Sequence, residues 1–222
     1  SGYRMYYTHV SPRPGCPQGA NDYGNATSRI LSATSVDGAD WNPEPGVRLS
    51  PQQGGAGEYR VVAPEVVPIP DGSGRWRMYY ECCPGTQAEA STIRSAVSAD
   101  GLKWTVESGD RLSGSGGSFN APRVLALDDG RCRMYCSDQM EGIVSAISED
   151  DGYNFTLEAG RRIVRELPYE AHVAYAPEVL RIEGGGYRMY YAGYRDPTYT
   201  CILTAVSDDG LTWHKGSEPV IL

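Results

Sequence analysis

One ten-residue pattern is written four times along the chain. It reads SATSVDGADW ending at Trp41, SAVSADGLKW at 95–104, SAISEDDGYNF ending at Phe155 and TAVSDDGLTW ending at Trp213. Such repetition constrains the fold strongly, because every copy must form the same unit and bury its faces against its neighbours. Two further elements recur in step. The first is APEVV (63–67), APRVL (121–125) and APEVL (176–180); the second is YRMYY (3–7), WRMYY (76–80), CRMYC (132–136) and YRMYY (187–191). The period is about 55 residues, within the range of repeat architectures.

Turn signals separate these elements. PDGSGR (70–75), LDDGR (127–131) and IEGGGY (182–187) read as hairpin turns between a first and a second strand. The Asp-Gly steps at 37–38, 100–101, 151–152 and 209–210 mark a second tight turn, after which Trp or Phe starts a fourth strand. Each copy therefore reads as four short antiparallel strands. A four-stranded meander at this period is the signature of a β-propeller blade. The expectation is an all-β chain forming one propeller domain over 1–222, with blades at roughly 1–50, 60–113, 120–165 and 174–222. Blades pack face to face, which explains why RMYY and VLALD run apolar instead of alternating. The repeated Ser and Asp are expected to bond backbone amides in the Asp-Gly turn, and the aromatic to plug the gap between blades.

Composition agrees with this and narrows the function. There are 27 Gly, 15 Pro and 16 Tyr against 2 Phe, which suits turns and half-buried strands. The formal charge of −8 and the lack of a basic stripe argue against nucleic acid as partner. No apolar run is long enough to span a bilayer. The chain starts at Ser with no signal peptide, so either a leader was removed or the chain is a fragment; a secreted or periplasmic location is favoured. The six Cys form no CxxC pair, so no zinc site and no other cofactor is expected. Cys132 and Cys136, four apart in a strand, lie about 13 Å apart, too far to bond. Free, mostly buried thiols are expected, with one disulfide in a secreted protein as the alternative.

The repeated turn resembles the Asp-box of sialidase-type propellers, S-x-D-x-G-x-x-W. SEDDGYNF has that spacing, and the other three copies are one residue shorter. Asp-boxes sit away from active sites, so this resemblance implies architecture. The combination APEVV…GRWRMYY…TIRSAVSADGLKW resembles the five-bladed propeller glycosidases, the arabinanase, xylosidase, levansucrase and invertase families of glycoside hydrolase 43/32 type. The resemblance covers nearly the whole chain. It implies a carbohydrate partner and carboxylates on the innermost strands around a central channel, often at an Asp-Pro step.

Glycoside hydrolysis needs two carboxyl groups, one to protonate the leaving oxygen and one to act as nucleophile or base. The inner-strand candidates are Glu65 and Glu178, each directly after the Pro of APE, with Arg123 at that position in the third copy. Glu81, Asp138 and Asp196 follow the second strands. Arg60, Asn120, His172 and Tyr175, placed on loops entering the inner strands, could bond sugar hydroxyls. In an enzyme, Glu178 is expected as general acid and Glu65 as an orienting carboxylate. Long insertions at 8–27, 81–91 and 108–120, the last with a flexible GSGGS stretch, would shape one mouth of the channel.

This chain departs from the family at one point. Ala63, Ala121 and Ala176 stand before the Pro in all three visible copies. The first copy begins at its second strand, and a fifth blade is not visible. Self-association through an open strand edge is therefore expected. The alternative to a glycosidase is a non-catalytic propeller that binds carbohydrate or protein.

Overall fold

The computed structural model describes residues 2–22, 24–86, 91–113, 118–139, 141–196 and 198–221. Residues 114–117 of the GSGGS stretch and 87–90 of the second insertion lie outside the described residues. The described chain is all β apart from a 3-10 turn at Pro168–Glu170. It divides into two compact units, Ser1–Arg111 and Leu112–Leu222.

The first unit holds β1 (Tyr3–Pro12), β2 (Ala26–Ser35), β3 (Asn42–Pro43), β4 (Arg60–Pro68), β5 (Trp76–Cys83), β6 (Thr92–Ser98) and β7 (Thr105–Val106). Here β1, β2 and β3 form a three-stranded meander, and β4 to β7 a four-stranded one. A single parallel pair, Ser28 with Arg60, links them. The first insertion is shorter than the sequence suggests, because Thr8–Pro12 continue β1 and pair with Ala26–Ile30.

The second unit holds β8 (Leu112–Ser113), β9 (Phe119–Ala126), β10 (Cys132–Asp138), β11 (Gly142–Ser148), β12 (Phe155–Leu157), β13 (Ile163–Val164), β14 (Val173–Arg181), β15 (Tyr187–Asp196), β16 (Tyr199–Ser207) and β17 (His214–Lys215). One sheet runs β8-β12-β11-β10-β9, with β13 on β11; the other runs β14-β15-β16-β17. Strand β5 is buried at every position after Trp76, and β10 at every position before Asp138. Burial on both faces is why these strands do not alternate. Met78, Tyr80, Val61 and Ile30 anchor the first core; Tyr135, Met189, Tyr191 and Leu203 anchor the second. All six Cys are free, and all but Cys16 are buried.

The repeated motif builds one turn four times. Ser98 Oγ accepts the Gly101 N–H at 2.8 Å, while Asp100 accepts the N–H groups of Leu102 and Lys103, both at 2.8 Å. Ser207 and Asp209 do the same for Gly210, Leu211 and Thr212. Ser35 with Asp37 and Ser148 with Asp150 repeat it. The longer third copy takes up its extra residue at Asp151, with φ of 58°.

These bonds hold the Asp209 carboxyl down at about 2, chiefly through the Thr212 N–H, and Asp100 likewise through Lys103. A carboxylate depressed by folding stabilises above its unfolded pKa and loses that contribution as pH falls through the folded value. Stability is therefore expected to drop between about pH 4 and about pH 2. Urea midpoints across that interval should show a smaller drop in Asp209→Asn; an equal drop would remove this turn from the acid response.

A further element had no counterpart in the sequence reading. Arg133 donates to Glu158 through Nε at 2.9 Å and Nη2 at 3.0 Å, and Ser145 donates to the same carboxylate at 2.6 Å. Arg77, Glu107 and Ser95 repeat this, as do Arg4, Glu44 and Ser32. In the fourth copy Gly216 stands where the Glu would be.

Candidate functional site

The three Ala-Pro steps share one backbone distortion. Ala63, Ala121 and Ala176 have φ of 50°, 49° and 53°. Each lies in a register shift of its strand: between Val62 and Glu65, between Asn120 and Arg123, and between Tyr175 and Glu178. A left-handed residue with a Cβ costs on the order of 1–3 kcal/mol, so surrounding structure must enforce it. Part of that bracket is visible. Thr8 Oγ1 accepts the Ala63 N–H at 3.1 Å, and Ser137 Oγ accepts the Ala176 N–H at 3.0 Å. A bulge re-aims the side chain that follows it. Those side chains are Glu65, Arg123 and Glu178.

In the second unit Arg123 Nε donates to Glu178 Oε2 at 2.7 Å. Arg123 also donates to the Pro122 carbonyl at 2.7 Å, which fixes its guanidinium. The Glu178 side chain is 49% exposed, and its Oε1 has no partner among the described residues. The arrangement is an oriented carboxylate with one oxygen open to solvent. In the first unit Glu65 lines a cavity of about 420 Å³ together with Arg4, Tyr6, Pro64 and Trp76. Trp76 is 41% exposed there, so the cavity offers an aromatic face beside a carboxylate and a guanidinium.

The remaining candidates are placed differently from one another. Asp138 ends β10 and pairs with Arg161 at 2.7 Å. Next to it Glu141 pairs with Arg165 at 2.7 Å, and Arg165 donates to the His172 carbonyl at 2.7 Å. Arg161, Arg165, Glu141 and Glu166 share with Val164, Leu167, Pro168 and Ala171 the lining of a cavity of about 560 Å³. His172 is exposed, and its backbone N–H donates to the Tyr194 carbonyl at 2.8 Å. Asp196 ends β15, where Thr198 and Arg195 hold its carboxyl down at about 2 and use it to cap a turn.

Four candidates expected on loops lie inside strands. Glu81 is not at a loop start but within β5, paired across to Val62 and Ile93, and it is fully buried with Ser91 donating to it at 2.9 Å. It occupies the same strand position as Thr8 and Ser137, the two residues that bracket the Ala-Pro steps. Arg60 is buried in β4 and donates to Cys83 Sγ at 3.0 Å. Asn120 is buried in β9, with its Nδ2 lacking a partner among the described residues. Tyr175 is half-buried in β14, inside the bulge.

Sequence reading also missed Glu170. This buried carboxylate accepts the N–H groups of Glu166 and Leu167, the Tyr191 hydroxyl and the Lys215 ammonium. The Tyr191 hydroxyl bond and these other donors hold its pKa down against burial. All of its strong donors lie within the fold, so it anchors the 3-10 turn.

No protein-family model and no curated protein matches the sequence. Solved structures do match. A glycosyl hydrolase from Bacteroides ovatus aligns with a TM-score of 0.75 at 17% identity, covering 98% of this chain and 68% of that one. The chain shares its all-β fold with solved glycoside hydrolases. An endo-arabinase from Bacteroides thetaiotaomicron aligns with a TM-score of 0.69 at 17% identity, covering 87% of this chain and 73% of its own. An endo-1,4-β-xylanase from the same organism aligns with a TM-score of 0.69 at 20% identity, covering 100% and 73%. At these identities the likeness is one of fold.

Proposed function

We propose that the chain is a carbohydrate-active propeller that hydrolyses a glycosidic bond, with Glu178 and Glu65 as its functional carboxylates. On this reading the meanders are successive blades of a five-bladed class, the first of them carrying three strands. The observation that carries the proposal is the shared setting of the two residues. Each directly follows a strained Ala-Pro bulge, in a fold shared with glycoside hydrolases. Glu178 presents one oxygen to a ligand while Arg123 holds the other. Glu65 lines a cavity whose exposed Trp76 suits the apolar face of a sugar ring.

The experiment is a hydrolysis screen of the purified chain against aryl glycosides and plant and bacterial oligosaccharides. Release of aglycone or of a shorter sugar supports the proposal. Saturable sugar binding with no release would replace it with a carbohydrate-binding module.

A further inference from the structure

Two of the left-handed alanines are held by the same device, each inside one unit. The Thr8 hydroxyl accepts the Ala63 N–H at 3.1 Å, and the Ser137 hydroxyl accepts the Ala176 N–H at 3.0 Å. The two holders stand at one repeat position, the sixth residue of YRMYYT (3–8) and of CRMYCS (132–137). In both cases the holder lies in one repeat and the alanine in the next. Ser137 is fully buried.

What the holder controls is the face on which the following carboxylate emerges. Across β14 and β15, Tyr175 pairs with Ala192 and Glu178 with Tyr190, so Ala176 and Pro177 stand opposite Tyr191 alone. That extra residue sets the alternation of everything after it. Without it the strand would slip by one residue, and Glu178 would turn to the opposite face. An alanine before proline takes a left-handed backbone only under restraint, and the Ser137 hydroxyl supplies a restraint at the Ala176 N–H itself. Ser137 is also the register partner of Asn120, the residue before the Ala121-Pro122 bulge, after which pairing resumes at Arg123. One residue therefore adjoins both bulges, and the side chains that they present, Arg123 and Glu178, meet at 2.7 Å.

We infer that Ser137 is the positioning residue of Glu178. Its hydroxyl fixes the fourth-repeat bulge, and with it the Arg123–Glu178 bond and the direction of the free carboxylate oxygen. The inference rests on the reading of Glu178 as a functional carboxylate. Ser137 acts through the Ala176 amide and not through contact with substrate. Thr8 stands in the same relation to Glu65 in the first unit, where Ala63 and Pro64 form the corresponding bulge.

The test compares Ser137→Ala with wild type in two readouts, one of which needs no substrate. In a proton–nitrogen spectrum the Arg123 Nε–H, assigned by its loss in Arg123→Lys, reports the bond to Glu178. Ser137→Ala should move that signal to the position of a free guanidinium, and the Ala176 amide should exchange with solvent about tenfold faster. Ala176→Gly added to Ser137→Ala should return the Arg123 signal, because glycine takes the left-handed backbone without a holder. Ser137→Thr should keep it, as Thr8 makes the same bond. On a cleaved glycoside, Ser137→Ala should lower kcat by up to about 10²-fold with KM unchanged, the size expected when a reacting group is misplaced by about 1 Å. An Arg123 signal unchanged in Ser137→Ala, or lost and not returned by Ala176→Gly, would overturn the inference. A rise in KM with kcat intact would overturn it too. A wild-type chain that cleaves no glycoside would defeat the hydrolase reading instead, and the Arg123 signal would still decide the role of Ser137.

Discussion

Glu158→Ala is expected to destabilise the protein by about 3–5 kcal/mol, the cost of breaking a buried ion pair from one side. Glu158 accepts three hydrogen bonds, two from Arg133 and one from Ser145. The Arg133 side chain is only 8% exposed, so removing the carboxylate strands a guanidinium that water reaches poorly. The corresponding Glu44→Ala change should cost about 1 kcal/mol or less, because the Arg4 side chain is 32% exposed and recovers hydration. Urea denaturation of both variants checks the contrast. Equal losses would mean that exposure does not set the worth of these pairs.

The four Ser-Asp turns were legible because they rest on short-range chemistry. A Ser and an Asp two residues apart before Gly can hardly bond anything other than the next amides, and all four copies do so. The hairpins were legible for the same reason: Leu127 N–H donates to Arg131 across LDDGR, and Ile182 to Gly186 across IEGGGY. Three features were not legible. The Arg-Glu-Ser brackets join positions 25 residues apart in the case of Arg133 and Glu158. Their sequence trace is the Glu three residues after the turn aromatic in the first three copies, as in WTVE and FTLE, which by itself names no partner. The left-handed Ala-Pro steps run against local preference, since a residue before Pro favours extended backbone; tertiary contacts from Thr8 and Ser137 help to impose them. Glu81 follows the WRMYY motif and so reads as a loop start, whereas β5 continues through Cys83 with pairing on both sides.

The candidate site was legible as residue types more than as geometry. The Pro-Glu steps lie on the first strand of their meanders, Glu65 on β4 and Glu178 on β14. Nothing in the spacing announced that Arg123, 55 residues before Glu178, would bond to it, although both occupy the same repeat position. The Asp138–Arg161 and Glu141–Arg165 pairs were likewise invisible, because loops bring them together.

The most direct test compares wild type with Glu178→Gln on a glycoside that the screen finds to be cleaved. Gln keeps the shape of the side chain and can still accept from Arg123, so the circular dichroism spectrum and thermal midpoint should hold. The variant cannot exchange a proton or attack as a carboxylate. Loss of acid–base function of this kind typically removes about 10²–10⁴-fold of the rate. The account predicts a loss of kcat in that range, with sugar binding retained by calorimetry. A folded Glu178→Gln protein that turns over at the wild-type rate would contradict it.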